Sequence, residues 1–275
     1  MLWIGLILVV AALVLFFFAT RSKKKAYFIQ ATETSKIGDV QRLVDEVKAD
    51  MIDGMSSGYR DYIEVKGQIV ADQPLAGELS EGRFAICQTT VSRIVERLET
   101  NRDSQGNVRQ TWRKSTERLT QNRRDTPFWI DDGTGRIRVK AGTKGVDLVK
   151  VVDRFEPPSS FEGGLGSRLQ VSLGGFSLGI GGMGSQSRTV GYQLVEEVLP
   201  VGQRVYALGE VADTEDEGVV LRTPTDEQKD RPFMLSTKTE EELLQKSAKS
   251  QTILRVIGAV VGVGGLALVV LGILR

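Results

Sequence analysis

Two stretches without a charged residue, 2–19 (LWIGLILVVAALVLFFFA) and 256–274 (VIGAVVGVGGLALVVLGIL), stand near opposite ends of this 275-residue chain. A helix needs about 20 apolar residues to cross the ~30 Å hydrocarbon layer of a bilayer, and each run is close to that length. Neither run has a polar face, so neither reads as an ordinary surface helix of a soluble domain. The chain therefore reads as a membrane protein with two terminal transmembrane helices, 2–20 and 253–274, and a mainly β (α+β) central domain between them.

The first run is not arranged like a cleaved signal peptide, which carries its positive charges before the apolar region. Here Arg21, Lys23, Lys24 and Lys25 follow it. The positive-inside rule places that cluster in the cytoplasm. Lys246, Lys249 and Arg255 precede or open the second run, against Arg275 alone beyond it. Both helices thus favour a cytoplasmic central domain with both termini outside.

Composition mostly excludes functions. With no histidine and only Cys87, the 275 residues hold no Cys/His zinc set, no Ser-His-Asp or Cys-His nucleophile and no disulfide within the chain. No cofactor, metal site or catalytic residue is expected. Setting aside the six cations Arg21, Lys23, Lys24, Lys25, Arg255 and Arg275 leaves 30 basic against 35 acidic residues. That balance does not point to nucleic acid as a partner.

Between the runs, Ile37, Val40, Val44, Val47 and Met51 recur at three- and four-residue steps and predict an amphipathic helix. From Tyr62 the period changes to two, predicting a strand through Val70. A second strand follows at 84–95. Residues 96–124 are polar and arginine-rich, and 101–107 read as the tip of a hairpin. Residues 127–139 form a tighter hairpin through Asp132-Gly133-Thr134-Gly135, where glycine supplies the positive φ such turns need. Further strands are expected at 148–155, 193–199, 205–211 and 218–221. Thr239 with Glu242 makes a capping box for a helix that can run on into the second span. The resulting division is an amphipathic helix and linker at 26–58, a β-rich domain at 59–235 and a juxtamembrane helix at 239–252. A glycine-rich loop is expected at 163–184. Short strands joined by Asp-Gly and Gly-Gly turns suggest a barrel or sandwich, with two OB-like β-barrel halves as the working arrangement.

Each chemical motif has a plainer alternative. Gly179, Gly181 and Gly184 match GxGxxG, but the following residues make a poor helix start for a dinucleotide site. Arg93, Arg97, Arg102, Arg109, Arg113, Lys114, Arg118, Arg123 and Arg124 outnumber Glu96, Glu99, Asp103 and Glu117 along the polar hairpin. With Trp112 among them, these cations suit anionic lipid heads or RNA, while solvated strands with cross-strand ion pairs are the bland reading. The residues singled out for lipid or partner contact are Arg109, Trp112, Arg113, Arg118 and Phe176. Asp131 and Asp132 favour a turn role over acid–base chemistry, and Cys87 reads as a buried structural thiol. Gly258 and Gly262 form a GxxxG that permits close packing, against the first helix or in a homo-oligomer.

The order of these elements carries a resemblance. A membrane helix and an amphipathic helix lead into Tyr62-Ile63-Glu64-Val65-Lys66-Gly67, then the Cys87 strand, the Trp112 strand and Pro127-Phe128. Later come Arg188-Thr189-Val190-Gly191-Tyr192, Glu196-Glu197-Val198-Leu199-Pro200-Val201-Gly202, Leu208-Gly209-Glu210-Val211 and Arg231-Pro232-Phe233. This resembles the Mulan/GIDE family, whose central region is the BAM ("beside a membrane") or GIDE domain. The resemblance implies structural roles for Gly67, Asp132, Gly133, Gly202, Gly209 and Glu210. Eukaryotic members are ubiquitin or SUMO ligases of mitochondrial and plastid membranes with a RING after the second span. In the mitochondrial members the domain faces the intermembrane space. One cysteine and no histidine cannot build a RING, so the chain is similar to RING-less prokaryotic relatives in a cell membrane. The expected role is a non-catalytic binding or scaffold module with the bilayer and a protein as partners. The alternative is one component of a ubiquitin-like transfer or effector system, with catalysis on another chain.

Overall fold

The computed structural model of the protein describes residues 2–49, 58–102, 106–158, 168–173, 176–181, 187–225 and 231–273. They divide into two units. Unit 1 comprises 1–67, 130–147 and 204–275; unit 2 comprises 68–129 and 148–203.

In unit 1, helix α1 (Leu2–Ala31) and helix α3 (Glu240–Ile273) carry the two apolar runs, and both are long and apolar enough to cross a membrane. At 30 and 34 residues they are about 45 and 50 Å long, well beyond the ~30 Å of a bilayer core. They pack antiparallel along a seam of small residues. A Cβ on Gly5 would meet the Gly265 carbonyl and Val269, Gly262 faces Ala12, and Gly258 faces Phe16. Gly5, Ala12 and Ala19 are buried at seven-residue steps, as are Gly258 and Gly265, the spacing that keeps one stripe facing a partner helix. Gly258 and Gly262 are therefore engaged with α1.

The span expected at 2–20 coincides with the apolar window Trp3–Thr20, and the helix that carries it continues into the region expected as linker. No glycine or proline interrupts residues 21–31, so α1 runs on through the basic cluster and buries Ile29. There Ile29 joins Tyr62, Tyr206, Leu208 and Leu243 in one core cluster, with Phe28, Met234 and Leu244 packed against it. The capping box forms as expected: the Thr239 hydroxyl accepts from Glu242 N and the Glu242 carboxylate accepts from Thr239 N.

The remaining elements of unit 1 are α2 (Ile37–Ala49), β1 (Arg60–Val70, whose last residues enter unit 2), β4 (Trp129–Asp131), β5 (Arg136–Lys140), β10 (Arg204–Thr214), β11 (Gly218–Arg222) and β12 (Met234–Ser236). The sheet runs β1-β4-β5-β11-β10-β12, and β1 also pairs with β10. Five strands thus follow one another until the last is hydrogen-bonded to the first. The β5–β11 pair is parallel, whereas β10–β11 is antiparallel. Inward-facing Val65, Ile130, Ile137, Val211 and Leu221 are buried.

Unit 2 is built from β2 (Phe84–Arg102), β3 (Val108–Asp125), β6 (Val149–Glu156) and β9 (Ser187–Pro200), in the order β3-β2-β9-β6. The expected glycine-rich loop is corrected. Within it, β7 (Arg168–Leu173) and β8 (Phe176–Gly181) pair as an antiparallel ladder. Leu169, Val171 and Leu173 alternate with polar residues, as Leu178 and Ile180 do with glycine, and that period of two suits a strand. Gly179 and Gly181 sit in this ladder, and β9 starts at Ser187 where a dinucleotide site would need a helix.

Candidate functional site

In unit 2 the β2–β3 ribbon is prominently exposed, above all along the first half of β3. The two strands pair from Ile86↔Asp125 to Arg102↔Val108. Strand β9 pairs with β2 as far as Arg97↔Ser187. Beyond that point, among the described residues, β2 is paired with β3.

Side chains alternate between the faces of a strand, and this sorts the predicted contact residues. Arg97 lies directly opposite Arg113, and Asn101 opposite Arg109. Two like charges facing across a strand pair are unfavourable unless compensated. Glu117 compensates by binding both Arg93 (2.7 Å) and Arg97, and Glu99 by binding Arg113 (3.2 Å). The Arg93 and Arg97 contacts hold the Glu117 carboxyl below its usual range. The other face carries Leu98 opposite Trp112. Arg188 stacks over the Trp112 ring at 4.8 Å and pairs with Glu96 at 2.6 Å. Arg109 and Arg113 therefore share one face, while Trp112 lies on the other. Arg118, opposite Ser92, stands in the same register just before a shift and donates to Gln121 at 2.9 Å. Phe176 lies opposite Leu173 in β8, and its side chain is outside the described residues.

Asp131 and Asp132 organise a turn. Asp132 Oδ1 accepts from Thr134 N (2.8 Å) and Gly135 N (3.0 Å), and Asp131 Oδ1 accepts from Gly133 N. Asp132 Oδ2 reaches further and accepts from Ile37 N at 2.8 Å, the first residue of α2. A carboxylate there satisfies an otherwise unpartnered N–H and complements the helix dipole. Burial raises the Asp132 pKa, but the backbone N–H of Ile37 and the Thr134 and Gly135 donors outweigh it and hold the group low.

The other motif residues occupy constrained or closely contacted positions. Gly133 and Gly202 have φ of +83°, which only glycine adopts freely. A Cβ on Gly67 would lie 2.5 Å from the Asp131 carbonyl oxygen, and one on Gly209 would lie 2.9 Å from both the Arg222 oxygen and the Phe233 ring. Glu210 is buried and bound by Arg222 (2.7 and 2.9 Å) and by the Thr225 hydroxyl and N–H. Burial pushes its pKa up, yet the guanidinium and Thr225 bring it below the ordinary value.

Two further constellations were not singled out from the sequence. Glu196, fully buried, accepts from Glu78 N (2.6 Å), Leu79 N (2.9 Å) and the Ser80 hydroxyl, with Cys87 Sγ and Thr89 Oγ1 each at 3.4 Å. It thereby pins the segment before β2 onto the sheet. Burial and the Glu196 charge push the Cys87 thiol up, so this cysteine is structural rather than an activated nucleophile. Glu64, also buried, accepts from Tyr206 Oη (2.7 Å) and Thr34 Oγ1 (2.5 Å) and pairs with Lys66 at 2.9 Å, which also reaches Glu240 at 2.8 Å. The signal for Glu196 was a glutamate on the same alternation as buried Tyr192, Leu194 and Val198; Glu64, which alternates with Lys66, carried no such signal. No group of three or more metal-ligating side chains occurs among the described residues.

Residues 81–272 match the GIDE family, described as E3 ubiquitin ligase. The chain belongs to this family. Among curated proteins, E3 ubiquitin-protein ligase SPL1 of Arabidopsis thaliana is 27% identical over 153 residues, 54% of this chain and 38% of that relative. The chain thus spans well under half of the relative's length. The GIDE match takes in the ribbon, Glu196, Glu210 and most of α3. Gly67, α1 and α2 precede it.

Proposed function

We propose that the chain is a membrane-tethered GIDE module that recruits a protein partner and performs no ubiquitin transfer by itself. The observation that carries this reading is the ribbon of β2 and β3, whose distal part is an exposed, net cationic surface. Arg97, Arg109 and Arg113 lie on one face of it. Such a surface suits an acidic segment of a partner held near the bilayer. α1 and α3 would serve as the two membrane spans, with the strands that hold Ile29 on the basic, cytoplasmic side. The strand order of unit 1, returning to its first strand and including the parallel β5–β11 pair, fits an OB-like barrel. Unit 2 has a different order, so we assign the OB-like form to one unit rather than two.

A second reading is that the chain works beside a separate catalytic subunit. The family's description as E3 ubiquitin ligase favours it, because one cysteine and no histidine in these 275 residues cannot supply a RING.

A photo-crosslinking residue at Val108, which is 54% exposed, tests both in native membranes. The reading expects a discrete crosslinked partner that weakens when Arg97, Arg109 and Arg113 are changed to Gln. Crosslinks indifferent to those changes would sink it. A RING protein or conjugating enzyme in the adduct would favour the second reading.

A further inference from the structure

The register between α1 and α3 makes a second feature visible. Phe16 faces Gly258 and Ala12 faces Gly262, so four residues up one helix match four down the other. Continued toward the β strands, that register brings residues 21–25 of α1 level with 249–253 of α3. Arg21, Lys23, Lys24 and Lys25 on one helix therefore share a level with Lys249 on the other, at the edge of both apolar runs.

On α3 this level opens into a groove of about 560 Å³. Its upper wall carries Lys238, Lys246 and Lys249, its middle Ser250, and its lower end Ile253 and Leu254. Polarity thus changes from cationic to apolar along the groove. Lys246 to Ser250 covers one helical turn, about 6 Å, the depth of a headgroup layer. Two carboxylates lie nearby: Glu242, also in the groove wall, caps Thr239, and Asp147 pairs with Lys238 at 3.2 Å and also feels the Lys246 charge, so three lysines stand against two acids. Ile257, one turn beyond Ile253, is 46% exposed and continues the apolar track.

We propose that this groove is a binding site for an anionic glycerophospholipid. Lys246 and Lys249 hold the phosphodiester, Ser250 lies beside the glycerol, and an acyl chain runs along Ile253, Leu254 and Ile257. A zwitterionic lipid offers these lysines no net charge, so the site discriminates by headgroup. The inference rests on the membrane reading of α1 and α3 given above.

The test uses the full chain reconstituted in phosphatidylcholine nanodiscs with spin-labelled phosphatidylglycerol or spin-labelled phosphatidylcholine. The motionally restricted fraction reports lipids held by the protein. The expected result is a preference of about tenfold for phosphatidylglycerol, reduced to near unity in Lys246→Gln/Lys249→Gln and retained in Lys246→Arg/Lys249→Arg. Lys144→Gln, an exposed lysine elsewhere in unit 1, should leave the preference unchanged. Incorporation without a preference, or an equal loss in the Lys144 variant, overturns the site while leaving the membrane reading intact. Failure to enter the discs overturns both.

Discussion

Glu64, Glu196, Glu210 and Asp213 are all withdrawn from water, and each is met by donors or a cation. Lys48 reaches Asp213 at 2.7 Å, as Arg222 does Glu210. A buried charge is tolerated only with such partners, and removing one partner costs about 3–5 kcal/mol. Arg222→Met should therefore destabilise the protein by about that amount, measured as a drop in the urea midpoint in mild detergent. The pKa directions add a pH dependence. The carboxyls of Glu196 and Glu210 are held below their ordinary values. Their stabilisation is full above the unfolded carboxyl pKa of about 4.3 and is lost as pH falls through the lower folded values. The midpoint should stay level from about pH 7 to 5 and then decline, less steeply in Glu210→Gln; a midpoint that rises on acidification contradicts the assignment. Cys87, 1% exposed, should resist maleimide in the native protein and react only after unfolding.

At the scale of elements, much of the organisation is legible in the sequence. The amphipathic step of Ile37, Val40 and Val44, the period of two after Tyr62 and the Asp132-Gly133 turn each encode local structure through neighbours in sequence. The ends of elements were harder to see. Nothing in residues 21–31 breaks a helix, and only the burial of Ile29 among distant Tyr62 and Tyr206 reveals why α1 continues. The cages around Glu196 and Glu64 depend on residues far apart in the chain, as with Ser80 and Glu196, so local patterning could not assemble them. The helix seam was half visible: GxxxG marked Gly258 and Gly262, but the closest approach is Gly5 to Gly265. A Cβ on Gly5 would lie 2.7–2.8 Å from Val269 and the Gly265 carbonyl. Gly5→Val should separate the helices, costing about 1–3 kcal/mol. A disulfide engineered between positions 12 and 262 reports it, forming readily in the parent and poorly in the variant.

For the molecule as a whole, the antiparallel packing of α1 and α3 sets a topological rule. If both helices span, residues 2 and 273 emerge on one side and the β strands on the other. Tags at the two ends of the sequence should share one fate in a protease-protection assay on sealed vesicles. A cysteine at exposed position 108 should show the opposite accessibility to an impermeant thiol reagent. Tags protected on opposite sides contradict the arrangement.

The unbroken passage of α1 from its apolar run to Ile29 also has a mechanical consequence. A helix without proline or glycine between residues 6 and 31 has no joint, so it behaves as a stiff rod clamped at one end among Tyr62, Tyr206 and Leu243. If α1 spans, a bilayer thicker or thinner than the apolar run would not be accommodated by a joint at its surface. The mismatch would then fall on the tilt of the helix pair and be felt by the strands that hold Ile29. Membrane thickness would in that case act as a lever on how those strands are oriented.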